Sequence, residues 1–200
     1  MLPLRTDSGA AFSIPQKLLQ ICAAPCLALA VSGCWYSAEP LINAENGSAI
    51  PFEGSYADPD GGEEPIQISA FGAGVSYRVS QGDESQEIYF LLIEGSWYVA
   101  QITDPLEEPE VVALGPDLEG TRTPTNLSVY RIMHWSGEVL QIYEPECDED
   151  LAKIPGIEVS DATCLIGGLD ALALAASEFT TAIETGEATA EYDALRRLSE

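Results

Sequence analysis

Between Ile66 and Tyr143 apolar residues recur at alternate positions, in short runs separated by glycine, proline and acidic residues. That period of two is the signature of strands with one face toward a core. Ile66–Phe71 alternates, Gly72-Ala73-Gly74 turns the chain, and Val75, Tyr77 and Val79 share one face of the next run. After a turn at 81–85, Ile88–Ile93 is apolar at every position. Glu94-Gly95-Ser96 then reverses the chain into Trp97–Ile102. A strand apolar on both sides needs cover on both sides, so something must pack on each face of this sheet. Further strands are predicted at Ile50–Tyr56, Glu110–Leu114, Leu127–His134, Glu138–Tyr143 and Val159–Ile166. The run 115–126, rich in Gly, Pro and Thr, reads as a surface loop.

Beyond Pro145 the period changes. Residues 147–154 have room for one or two helical turns. Leu169, Leu172, Leu174, Ala175, Phe179 and Ile183 then recur at helical spacing, Gly186 ends that run, and 187–198 reads as a second helix. The predicted fold class is α+β: an antiparallel meander of about seven or eight strands, flat or curled into a partial barrel, with C-terminal helices against one face.

At the other end of the chain, Leu18–Gly33 is an apolar run interrupted only by Gln20 and Ser32, with Arg5 and Lys17 before it. A basic start, an apolar stretch and small residues at its end make a secretory signal. The run is shorter than the ~20 residues that cross a bilayer. Two other outcomes stay open: an uncleaved span extended through Trp35 and Tyr36, and ordinary cleavage with release. All three put residues 37–200 on the far side of the membrane, because the basic residues stay inside.

The run ends in Val31-Ser32-Gly33-Cys34. An aliphatic residue, two small ones and a cysteine resemble the lipobox of bacterial lipoproteins. That resemblance implies a diacylglycerol group on the Cys34 sulfur, cleavage before Cys34, and a further acyl chain such as palmitate on the new amine. Small residues let an extended backbone enter a peptidase cleft. Two or three acyl chains hold a protein to a membrane, since each buried methylene contributes about 0.8 kcal/mol. The class often marks inner-membrane retention with Asp after the cysteine. Trp35 stands there instead, which implies a periplasm-facing protein of the outer membrane. The expected organisation is a signal peptide at 1–33, a tether at 34–48 and one globular domain at 49–200.

Charge narrows the partners. The chain carries a formal charge of −25, and removing 1–33 takes away Arg5 and Lys17 against Asp7. Such a surface repels nucleic acid, so a nucleic-acid partner is not expected. A solvated acidic surface is the ordinary explanation; a cationic partner or divalent ions are the sharper one. Asp58-Pro59-Asp60-Gly61-Gly62-Glu63-Glu64 resembles part of a calcium loop but lacks the remaining ligand spacing, and reads as an acidic turn.

Of five cysteines, Cys22 and Cys26 leave with the signal and Cys34 takes the lipid, which leaves Cys147 and Cys164. In an oxidising compartment that even pair is expected to bridge. With His134 as the only histidine the two do not fill a zinc shell, and no metal or other cofactor is expected. The sequence holds no Gly-x-Ser-x-Gly elbow and no phosphate-cradling loop between strand and helix. His134, beside Trp135 at a hairpin turn, reads as structural. The expectation is therefore a non-enzymatic lipoprotein of the cell envelope, acting structurally or by contact with another envelope protein. The alternatives are a small-ligand or inhibitor module, in which Trp97, Tyr98, Tyr130 and Trp135 line a cup, and an envelope hydrolase using two carboxylates.

Overall fold

A computed structural model describes residues 35–59, 61–62, 64–72, 74–105, 126–160 and 163–199. Eleven strands and one helix follow in order: β1 (Trp35–Ser37), β2 (Gly54–Ala57), β3 (Ile66–Phe71), β4 (Ser76–Gln81), β5 (Glu84–Glu94), β6 (Trp97–Pro105), β7 (Asn126–Trp135), β8 (Val139–Tyr143), β9 (Ile157–Ser160), β10 (Thr163–Ile166), α1 (Leu169–Thr185) and β11 (Tyr192–Arg197). A 3-10 turn at Glu149–Lys153 lies between β8 and β9, capped by the Asp148 carboxylate.

Eight of these strands close into an antiparallel barrel. The order round it is β2-β3-β4-β5-β6-β7-β8-β11, and β11 returns to β2. Six of the eight pairings join strands consecutive in the chain, so the meander expected from the sequence is present and fully closed. Closure removes the free sheet edges that an open meander would expose. The turns are tight where glycine permits them. Gly95, at φ 52°, opens the two-residue link from β5 to β6.

The strand alternation divides the apolar residues into two cores. Inward positions fill the lumen: Tyr56, Ile68, Tyr77, Ile88, Phe90, Tyr98, Ala100, Ile102, Met133 and Leu140. Outward positions of β6, β7 and β8, among them Trp97, Val99, Tyr130, Ile132 and Tyr143, join a second core with β1, β9, β10 and α1. β5 shows why its sequence is apolar throughout. Ile88 and Phe90 point into the lumen, while Tyr89, Leu91 and Ile93 pack against the second core. The helix faces it with Leu172, Ala175 and Ala176, and ends at Gly186, whose left-handed conformation lets its N–H reach Ile183 O.

The outer layer is a small sheet on the side of the barrel. β1 pairs antiparallel with β7 at Tyr36–Val129, taking up the edge of β7 where β8 leaves it, and pairs parallel with β10 at Trp35–Cys164. β10 and β9 form a hairpin in place of the single strand expected over 159–166.

Three further expectations change. Residues 187–198 do not make a second helix: Tyr192–Arg197 is strand β11, drawn between β8 and β2 because the barrel lacks an eighth wall without it. Its Ala, Leu and Arg favour a helix locally, and tertiary pairing overrides that preference. Residues 35–48, read as a tether, belong to the fold: Trp35 is 1% exposed and Ile42 equally buried. The strand expected from Ile50 begins only at Gly54, and Ile50 and Phe52 cross the end of the barrel as a plug. The strand expected at 110–114 and the loop at 115–126 lie outside the described residues, apart from Asn126 at the start of β7.

Candidate functional site

The two ends of the barrel differ. One is packed shut by aromatic rings around Phe52, whose centroid lies 5.5 Å from Phe90, 5.1 Å from Tyr98 and 5.9 Å from Trp135. The first two contacts are edge-to-face, the arrangement favoured by ring quadrupoles. Backbone polar groups in this plug are satisfied locally: Ile50 N–H donates to Tyr77 Oη at 3.0 Å, and Tyr56 Oη donates to Phe52 O at 2.8 Å. Burial pushes the Tyr56 hydroxyl pKa up, against the pull of nearby Arg197. Arg197 Nη2 donates to Glu53 O at 2.8 Å at the same end.

Toward the other end the packing loosens. A cavity of about 140 Å³ is walled by Ile66, Ile68, Val79, Ile88, Ile102, Met133, Leu140, Ile142 and Leu195, with Phe90 beneath. Ile66, Val79, Ile142 and Leu195 are only half-buried there. Eight strands make an interior that side chains can fill or that can hold one small ligand. Among the described residues the plugged end is filled and the other is not.

Three charged residues line this cavity. Arg131, inward-facing on β7 and 8% exposed, pairs with Glu144 at 2.8 Å. A guanidinium in an aliphatic lumen needs such a partner, because an uncompensated charge there costs several kcal/mol. Glu144 itself stands at the rim, its side chain 63% exposed. Asp193, exposed on β11, is the third, and among the described residues no hydrogen bond or ion pair holds its carboxylate. Ile142, Glu144 and Asp193 also border an outer groove with Glu146, Glu191 and Tyr192. The mouth of the cup is therefore acidic.

The residues singled out from sequence are spread widely. Cys147 and Cys164 form a disulfide with Cα atoms 5.5 Å apart, linking the segment after β8 to β10. Cys34 lies outside the described residues, as do Asp60 and Glu63 of the acidic turn. Among the described residues no group of three or more His, Cys, Asp or Glu is arranged to hold a metal, and no helix is long and apolar enough to cross a membrane. His134 faces outward, its ring 4.4 Å from Trp97 and its Nδ1 2.8 Å from Gln141 Oε1. Of the four aromatics expected to line a cup, Tyr98 and Trp135 belong to the lumen core, at its plugged end, while Trp97 and Tyr130 are outside the barrel.

Arg131 and Asp193 escaped the sequence reading. Arg131 sits in the period-two pattern of Leu127–His134 at an inward position, and a charged residue on the buried face of a strand was the available signal. Asp193 gave none, since 187–198 reads as helical. No protein-family model, curated protein or solved structure matches the chain.

Proposed function

We propose that this protein is a binding module of the bacterial cell envelope whose barrel lumen receives the apolar part of a small ligand. The observation that carries the reading is the unequal filling of the lumen: aromatic at one end, open and aliphatic with charged residues at the other. The volume resembles that of an engineered cavity of 150 Å³ that admits benzene, which sets the size of the apolar group. Binding is favoured over catalysis because, among the described residues, the charged groups of the cavity are an Arg–Glu pair and one carboxylate, and the sole histidine is on the outer wall. Envelope location rests on the signal-like run and lipobox-like end of residues 17–34, together with a disulfide suited to an oxidising compartment.

Melting in the presence of benzene tests the lumen. A ligand that binds only the folded state raises the melting temperature, so the protein should melt higher in benzene-saturated buffer. Val79→Phe, which fills the space from the half-buried wall, should abolish the response. An unresponsive wild type, or a variant that responds equally, contradicts the reading. Location is tested by intact mass and membrane fractionation of the wild type beside Cys34→Ala. Loss of residues 1–33 with added acyl mass is expected in the first only. An unmodified Cys34 would set the anchor aside.

A further inference from the structure

We propose that the ligand of this lumen is an amphipathic cation: an amine whose ammonium sits at the rim between Asp193 and Glu144, and whose apolar group, of about six carbons, enters the cavity. The inference deepens the binding-module reading and rests on it. Its ground is the charge balance of the cup. Among the described residues Arg131 is the cation of the lining, and Glu144 pairs with it at 2.8 Å. Asp193 remains as surplus negative charge on the same cavity wall. Glu146 and Glu191 add to it in the groove that continues from the mouth. A mouth lined by one sign of charge concentrates ligands of the opposite sign, and the chain as a whole carries −25.

An anionic head is the competing occupant. It would take the place of the Glu144 carboxylate on Arg131, and the exposed Glu144 side chain would give way at little desolvation cost. The displaced Glu144 would remain nearby with Asp193, Glu146 and Glu191, so among the described residues the anion would meet four carboxylates against one guanidinium. A cation entering the same site meets Asp193 without displacing anything. A neutral ligand of the same shape would gain the cavity and nothing from the rim.

Calorimetric titration with three probes of equal chain length separates these cases: hexylammonium, hexanol and hexanoate, each against the intact protein at low and at physiological salt. Hexylammonium should bind about fivefold or more tightly than hexanol, the scale of one partly exposed ion pair. Its advantage should shrink as salt rises, and hexanoate should bind weakest. Asp193→Asn, an exposed change that leaves the Arg131–Glu144 pair intact, should remove most of the advantage of hexylammonium and leave hexanol binding unchanged. Equal binding of hexanol and hexylammonium, or tighter binding of hexanoate, overturns the cation while leaving the lumen occupied. Failure of all three to bind overturns the lumen reading together with it.

Discussion

The side chain of Gln101 pairs with the backbone of Ile42 as a neighbouring strand would. Ile42 N–H donates to Gln101 Oε1 at 2.7 Å, and Gln101 Nε2 donates back to Ile42 O at 2.8 Å. The same Oε1 also accepts from Leu41 N–H at 2.7 Å. Gln101 is an outward residue of β6 and is buried, so these bonds fix the amide's orientation and hold residues 35–46 onto the barrel wall. Because buried groups left unpaired cost about 1–3 kcal/mol each, Gln101→Leu should destabilise the protein by roughly 2–4 kcal/mol. Hydrogen exchange should place the loss: the amides of Leu41 and Ile42 should lose protection well before those of β3 and β4. Uniform loss across the barrel would contradict a local clamp.

The disulfide acts on the same layer from the other side. Cys147 and Cys164 are 17 residues apart, and the chain-entropy argument gives about 3 kcal/mol for a loop of that length. Reduction should lower the denaturant midpoint accordingly without unfolding the barrel at neutral pH, since the lumen core does not include either cysteine. Circular dichroism with and without reductant measures both effects. Collapse of the sheet signal on reduction would show that the barrel depends on the bridge.

Tyr130 makes stability sensitive to alkali. Burial pushes its pKa up to about 12, against the lowering effect of the Ser37 hydrogen bond. Tyr130 Oη and Ser37 Oγ lie 2.6 Å apart and share a hydrogen bond, and Tyr130 Oη also donates to Gln101 Oε1 at 3.4 Å. The raised value means that the folded state keeps a proton which the unfolded chain releases above pH ~10. Stability is therefore intact below pH ~10 and falls as pH rises through about 12, by roughly 2–3 kcal/mol from this group. Tyr130→Phe should cost about 1 kcal/mol at pH 7 through the lost hydrogen bond, and should flatten the alkaline decline. Burial raises Tyr36, Tyr56, Tyr98 and Tyr143 as well, so some decline should persist in the variant. An unchanged slope between pH 10 and 12 would contradict the assignment to Tyr130.

Most of the barrel was legible from alternation alone, because each of β3 to β8 carries its own inward face in its own sequence. The doubly apolar Ile88–Ile93 even announced the second core. What was hidden depends on distant partners. Tyr192–Arg197 becomes a strand through pairing with Val139–Tyr143 and with Tyr56–Ala57, and nothing local in 187–198 carries that information. Trp35–Ser37 is too short to show a period, and its burial comes from Cys164, Val129 and α1. Phe52 sits in an apolar run that reads as a strand, and its role as a plug follows only once a barrel exists to be plugged. The cavity lining is half legible: its isoleucines belong to the inward pattern and Arg131 stands out on it as a charge, whereas Asp193 lies in a stretch that reads as helical.

The central claim is that the lumen is a binding cup, and methyl NMR of the full-length folded domain during titration with hexylammonium tests it most directly. Saturable shifts should appear at Ile66, Ile68, Ile88, Ile102, Met133 and Leu195, with Leu172 of the outer core unmoved. Shifts that fail to saturate, or that centre on Leu172 and its neighbours, would contradict a cup in the barrel and place any binding elsewhere.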